Sequence, residues 1–422
     1  MAQLAINGGK PIRSKPYPDW PQAGGTEMDR LQQVIESRRW FAGLQGDDPD
    51  ALGTLFGKRF AELHGAGFAL PVSNGSVAIE VALRALGIRP GDEVIVPAYT
   101  FLSTATSVLM VGAIPVFADI DPRSYCLDPE DTARRITPHT RAIIPVHLAG
   151  HPADMPGLLK LAQRHDIDIV EDCAQAIDAG LASKKAGTWG ALGTFSFQSN
   201  KTITCGEGGL IMGNDPDLAE KVIALRAFGR YRNKEVVRSS DLTCQQVSSN
   251  YRLSEFQSAV LLAQLEKFAA QNRQRLENAG LLTAAIEEMP GLEHVCIKTK
   301  DMKHGYYYYL VRYTPEAFGN LNPDRICQAL NAEGIPFVAG DRMPLYAHPV
   351  FEVANLDGYL NQTAFERYRR MAVSNDAVCP EVEKACKCTL ILRHEILLGG
   401  RKDMDDIVAA LWKIIDNITE LS

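Results

Sequence analysis

Three short stretches of this 422-residue chain place chemically able residues at the ends of apolar runs. The first is Ser73-Asn74-Gly75-Ser76, between an apolar run at 68–72 and a helical pattern at 76–86. Small residues there let the backbone approach a ligand, and free N–H groups at a helix start attract an anion such as phosphate. A tight turn with serine as helix cap is the other reading. The second stretch is Glu171-Asp172-Cys173-Ala174-Gln175, directly after the apolar run 167–170. A carboxylate at the end of a buried strand needs a partner. A protonated ring nitrogen of a bound cofactor is one candidate, and its own backbone at a helix cap is another. The third runs from Phe195 through Ser196 to Lys201 and into Gly206-Glu207-Gly208-Gly209. A lysine beside an apolar wall can lose its proton and form an imine with a carbonyl, although most lysines are solvated. The glycine run there suggests positive φ or close backbone contact. Phe101, after a further apolar run, suits either stacking on a flat ring or a place in the core.

Other chemistries lack their residues. His147 and His151 have the spacing of a helical metal pair, but Pro145, Gly150 and Pro152 deny them a helix. The cluster Cys379, Cys386, Cys388 does not match the paired C-x-x-C pattern of structural zinc, so no metal is expected. Phosphate-binding P-loop, dinucleotide and α/β-hydrolase motifs are missing. With 44 basic and 51 acidic residues the net charge is -7, which disfavours nucleic acid. Nine scattered cysteines do not resemble a secreted disulfide scaffold. The N-terminus lacks an apolar signal core, and the longest apolar run, 108–118, is broken by Gly112 and Pro115. A soluble, cytoplasmic chain without membrane partners is the expectation.

Elements that position these residues follow from the apolar pattern. Short runs at 68–72, 93–97, 114–120, 142–146, 167–170, 193–197 and 210–213 show little alternation, as in strands buried on both faces. Helical patterns lie between most of them, at 76–86, 101–111, 129–136, 155–164 and 218–228. That alternation predicts a mainly parallel sheet flanked by helices. Between Phe197 and Leu210 there is no helix, which predicts a loop or hairpin carrying Lys201. Ahead of the sheet, helical periodicity at 27–63 is interrupted by a polar loop at 43–50. After it, strong helical patterns at 253–268 and 272–289 end at Pro290-Gly291. A strand at 306–313 and helices at 324–333 and 404–418 then read as a smaller α+β unit. The division expected is an arm at 1–25, a large α/β domain at 26–289 and a small C-terminal α+β domain at 290–422.

In their order, these stretches resemble the DegT/DnrJ/EryC1/StrS sugar aminotransferase family of fold type I. The likeness spans nearly the whole chain and includes PGDEVIVPAYTF, AIIPVHLAGHPADM, VEDCAQA, FSFQSNKTITCGEGG and NYRLSEFQSAVLLAQL. It implies pyridoxal 5'-phosphate as cofactor, held covalently by Lys201. Asp172 would keep the ring nitrogen protonated, and Gln175 would lie near the phenolic oxygen. Gly75, Ser76 and Val77 would contact the phosphate, with Ser196 as a further donor, and Phe101 would stack on the ring. Asn250 resembles the residue that reaches the phosphate of a neighbouring subunit's cofactor, which implies a homodimer with shared sites.

The opening LAINGGKPIRSKPYPDWP and the stretch TLILRHEILLGG resemble the branch holding scyllo-inosose and deoxy-scyllo-inosose aminotransferases and aminohydroxybenzoate synthases. That implies transfer of an amino group from glutamine or glutamate to a keto cyclitol. A nucleotide-linked keto sugar is the alternative substrate, and a non-catalytic sensor or scaffold the alternative of another class. Tyr346 and His348 are the candidate substrate contacts. Tyr346 stands where relatives often carry histidine, and tyrosine is a poorer proton shuttle near neutral pH. Relatives that deoxygenate sugars replace the cofactor lysine with histidine, so Lys201 argues against dehydration.

Overall fold

Seven apolar segments build one sheet: β1 (Phe68–Val72), β2 (Glu93–Pro97), β3 (Ile114–Ala118), β4 (Thr140–Ile143), β5 (Asp168–Asp172), and, after the two-residue strands β6 (Gly180–Leu181) and β7 (Lys184–Lys185), β8 (Leu192–Ser196) and β9 (Gly209–Gly213). Their order is β1-β9-β8-β5-β4-β2-β3. Contiguous strands from β8 to β3 pair in parallel, while β9 runs against both of its neighbours. Every residue of β2, β3, β8 and β9 is buried, as expected of strands covered on both faces. This computed structural model describes residues 3–41, 48, 50–229, 244, 246–373 and 378–421. Most of the expected loop at 43–50 lies outside the described residues.

Two expectations need correction. The fourth strand ends at Ile143 rather than Val146, because Pro145 has no N–H to continue the ladder; Val146 keeps only an isolated bridge to Asp172. The two helices expected near 253–289 are one helix of 32 residues, Glu255–Ile286, opened by a capping box between Ser254 and Gln257. No breaker separates the two patterns. The polar positions Asn272 and Arg275 are instead buried within the helix.

Past Pro290-Gly291, β10 (Leu292–His294), β12 (Tyr308–Tyr313), β13 (Val338–Ala339) and β14 (Thr389–Arg393) form a second, antiparallel sheet in the order β10-β12-β14-β13. The intervening β11 (Met302–Lys303) pairs back to β6 and ties the two halves together. A separate apolar core joins this sheet to the helices Pro323–Ala332 and Arg401–Asp416. The N-terminal arm docks on this half. Leu4 is buried in that core, its N–H meets Glu420 at 3.1 Å, and the Arg13 guanidinium pairs with Asp403 and Asp406 at 2.7 and 2.9 Å. Among the described residues, no helix is long and apolar enough to cross a membrane.

Candidate active site

The parallel strands deliver their C-terminal ends to a cavity of about 770 Å³. Asn74 to Val77 enter it after β1, Phe101 after β2, Asp172 at the end of β5 and Ser196 at the end of β8; Gln175 and Lys201 complete the expected set. Sequence reasoning therefore brings together Gly75, Ser76, Val77, Phe101, Asp172, Gln175, Ser196 and Lys201.

Lys201 rides on the loop of the β8–β9 hairpin, where the chain turns back on itself within the sheet. Its N–H donates to the Gln198 carbonyl at 2.8 Å, closing a turn that projects the side chain. The ammonium lies 4.2 Å from the centroid of the Tyr307 ring. Burial pushes its pKa down to about 8, against the opposing pull of the Asp172 carboxylate. At pH 7 roughly a tenth of such amines are neutral, against fewer than one in a thousand for an ordinary lysine. The glycine run beside it behaves as its composition suggests. Gly206 has φ +88°, and a Cβ on Gly209 would sit 2.2 Å from the Asn74 carbonyl oxygen.

Asp172 is 4 % exposed. One oxygen accepts from the Thr104 hydroxyl at 2.8 Å and the other from the Ala174 N–H at 3.1 Å. Thr104 in turn shares a hydrogen bond with Thr100. Next to it, Glu171 is a structural carboxylate. It accepts from the N–H groups of Gly187, Trp189 and Gly190 and from His147 Nε2. His147 Nδ1 accepts from the Ala153 N–H at 3.0 Å, so the ring proton sits on Nε2. His147, Glu171 and Cys173 form the one metal-ligand-type group among the described residues. Each of its atoms is engaged or protonated: both imidazole nitrogens are taken, the carboxylate is saturated, and burial holds the Cys173 thiol well above its usual range. Gln175 Oε1 accepts from the Ala149 N–H at 2.7 Å, which leaves its Nε2 as the donor toward the cavity.

At the start of the helix Gly75–Ala85, Asn74 rather than a serine is the cap, accepting from the Val77 N–H at 2.9 Å. Val77 was expected to offer that group to a phosphate, and the cap takes it. Gly75 and Ser76 keep N–H groups without an intrahelical acceptor. A Cβ on Gly75 would lie 2.8 Å from Ser196 Cβ, so only glycine lets the serine hydroxyl stand beside the helix end. Phe101 is 70 % exposed, which removes the core-aromatic reading and leaves a ring face bare in the cavity.

Three expected residues lie elsewhere. Tyr346 donates to Glu383 at 3.2 Å, accepts from the Cys379 N–H and packs near Phe117. His348 caps short 3-10 turns through its backbone. Neither lines the cavity. Asn250 is exposed, bridges Ala227 and is likewise outside the cavity of its own chain. Lining residues that sequence reasoning missed include Tyr307, Tyr308 and Gln198. The run of four tyrosines at 306–309 was the available signal. It reads as strand, but phenols at the start of a strand also offer polar tips to a ligand.

The donor set fits pyridoxal phosphate at each end: an N–H and hydroxyl cradle for a phosphate, a bare aromatic face, a buried carboxylate for a ring nitrogen, and a desolvated amine for an aldehyde. Comparison with known proteins agrees. The model of the DegT/DnrJ/EryC1/StrS aminotransferase family matches residues 21–374. The L-glutamine:scyllo-inosose aminotransferase of Streptomyces griseus is 35% identical over 425 residues, covering 100% of this chain and 99% of that one. The L-glutamine:2-deoxy-scyllo-inosose aminotransferase of Micromonospora echinospora is 36% identical over 426 residues, covering 100% of both. Among solved structures, 3-amino-5-hydroxybenzoic acid synthase superposes with a TM-score of 0.82 at 29% identity, covering 96% of this chain and 100% of that one.

Proposed function

This chain belongs to the DegT/DnrJ/EryC1/StrS aminotransferase family, and on that premise we propose that it moves an amino group from glutamine or glutamate to a ring ketone of the scyllo-inosose type. It is a pyridoxal 5'-phosphate-dependent transaminase of fold type I. One observation carries the site assignment: Lys201 and Asp172 line the same cavity as the Gly75–Ser76 helix start.

Bound pyridoxal phosphate supplies an aldehyde that captures amines and a ring that accepts the electron pair left when a proton is removed. The chain supplies the rest. Lys201 is the amine that would hold the group through its aldehyde, and, when free and neutral, it would be the base placed to move a proton during the transfer. Asp172 keeps a proton on the ring nitrogen through a charge-assisted hydrogen bond. Gln175 Nε2 donates toward the phenolic oxygen, Phe101 covers a ring face, and Gly75, Ser76 and Ser196 donate to the phosphate. The exposed Asn250 suits a contact with the site of a second copy, in a cytoplasmic homodimer.

The substrate reading rests on the lining. It includes hydroxyls and amides of Thr100, Ser103, Thr106, Gln198, Asn200 and Tyr308 and the carboxylates of Glu80 and Glu207, and Lys201 is the only cation among the described lining residues. That set suits an uncharged polyol ketone better than a diphosphate-linked sugar. The test is a single turnover. Enzyme first loaded by glutamine is mixed with scyllo-inosose or with a nucleotide-linked 4-keto sugar, and the return of the visible cofactor band is followed. Faster return with the cyclitol is expected, along with loss of the band in Lys201→Ala. Protein that stays colourless with pyridoxal phosphate overturns the reading; faster return with the nucleotide sugar overturns the substrate.

A further inference from the structure

Behind the Lys201 loop, three aromatic rings stand in line between two cations. The Lys201 ammonium faces Tyr307, which stacks on His394 at 6.0 Å; His394 meets Trp20 nearly perpendicularly at 4.6 Å; the Arg275 guanidinium lies 5.5 Å from the Trp20 centroid. Two of these rings also donate hydrogen bonds into the loop. Trp20 Nε1 donates to the Ser199 carbonyl at 3.0 Å, and His394 Nε2 to the Asn200 carbonyl at 2.9 Å. The two peptide carbonyls directly before Lys201 are thus held from outside, by residues from the N-terminal arm and from the segment after β14.

A carbonyl partner requires the proton on His394 Nε2, so its Nδ1 is a bare lone pair. That atom is buried without a hydrogen-bond partner among the described residues, as are Nε, Nη1 and Nη2 of Arg275. Stability alone gives no reason to seal a guanidinium without an acceptor, since its desolvation is costly. The Arg275 guanidinium instead faces the Trp20 ring and feels the Glu395 charge. Burial, and next the Arg275 charge, hold the His394 pKa well below the usual imidazole range; Lys201 and Arg393 add to the repulsion. Among the described residues, Glu395, at 3.7 Å from Nε2, faces it with the opposite sign.

We propose that Trp20 and His394 are positioning residues for Lys201, aiming its amine into the cavity by fixing the carbonyls of Ser199 and Asn200. This rests on Lys201 being the reactive amine. Misplacement by about 1 Å can cost about 100-fold in rate.

The test uses His394→Leu, His394→Gln and Trp20→Phe. In cofactor-free protein, the pH dependence of Lys201 acetylation, read by peptide mass spectrometry, reports the amine's setting. A midpoint near 8 is expected for wild type and His394→Gln, which restores a donor. In His394→Leu and Trp20→Phe the loosened amine gains water and its midpoint rises; one unit cuts labelling at pH 8 about fivefold. With cofactor, kcat falls about 10- to 100-fold in these two while KM for the ketone stays within about twofold. Acetylation curves that overlay wild type overturn the proposal, as does failure of glutamine to rescue at equal melting temperature. Should His394→Leu not fold, Trp20→Phe, which keeps a ring in place, decides the matter. Wild-type protein that takes up no cofactor at Lys201 refutes the underlying reading instead, a result distinct from unchanged curves.

Discussion

Replacing Asp172 by asparagine separates charge from shape at the ring-nitrogen site. The surroundings tolerate the change. The Ala174 N–H still finds the amide oxygen, and the amide N–H₂ can donate to Thr104, which then donates to Thr100, 3.2 Å away. Stability should therefore fall by only about 1 kcal/mol. Catalysis should suffer far more, because an amide cannot hold a proton on a pyridine nitrogen. A hydrogen bond to a charged group is worth about 1.5–3 kcal/mol. At about 1.4 kcal/mol per decade, that predicts a rate loss of roughly 10- to 150-fold. A second effect has a fixed sign. The Asp172 charge holds the Lys201 pKa up, so its removal lowers the amine below about 8. Stopped-flow absorbance on loaded enzyme reads the proton transfer, and Lys201 acetylation reads the amine. A variant that binds cofactor and keeps more than half the wild-type rate, or whose amine midpoint rises, refutes the reasoning.

Three further outcomes are expected. Phe101→Ala should weaken cofactor binding about 2- to 12-fold, the worth of one ring stack, yet leave the cofactor-free melting point unchanged because the ring is already exposed; a cofactor titration and a thermal scan check both. Buried His294 stacks on Tyr309 and His304 on Tyr306, His151 meets His304 edge-on, and burial lowers the pKa of all three, His294 to about 3. The unfolded chain binds their protons from about pH 6.5 downward while the fold resists, so stability is full above that pH. Below it, each group costs up to about 1.4 kcal/mol per unit, and urea unfolding of His294→Asn should show a shallower acid slope. Arg13→Met removes the buried partner of Asp403 and Asp406 and should cost about 3–5 kcal/mol, read as lost hydrogen-exchange protection over residues 4–20.

Apolar runs with little alternation fixed the strand positions within a few residues, because strands covered on both faces leave little room for polar residues. The absence of a helix between Phe197 and Leu210 located the hairpin, and with it the site. What stayed illegible has a common cause. Tyr346 and His348 are near the family's pattern in sequence, but hydrogen bonding to Glu383 and the packing of the 3-10 turns direct them elsewhere. Tyr307, Trp20 and His394 come to the Lys201 loop only through tertiary packing across 100 residues or more, which no local pattern records. Asn74 outcompetes serine as cap because its side chain reaches the Val77 N–H, a choice of rotamer invisible in residue type.

The seat of the arm has a consequence for biosynthesis. Leu4 and Glu420 are 416 positions apart, so the arm must wait for a segment made that much later. At about 5–20 residues per second, that interval is roughly 20–80 seconds. Until it closes, the arm that carries Trp20 lacks its Leu4–Glu420 anchor, and the proposed bracing of the Lys201 loop is complete only once the stretch near residue 420 has left the ribosome. Nascent chains arrested just short of that point should capture vitamin B6 aldehyde more slowly than released ones, which pulse-labelling followed by borohydride trapping would measure.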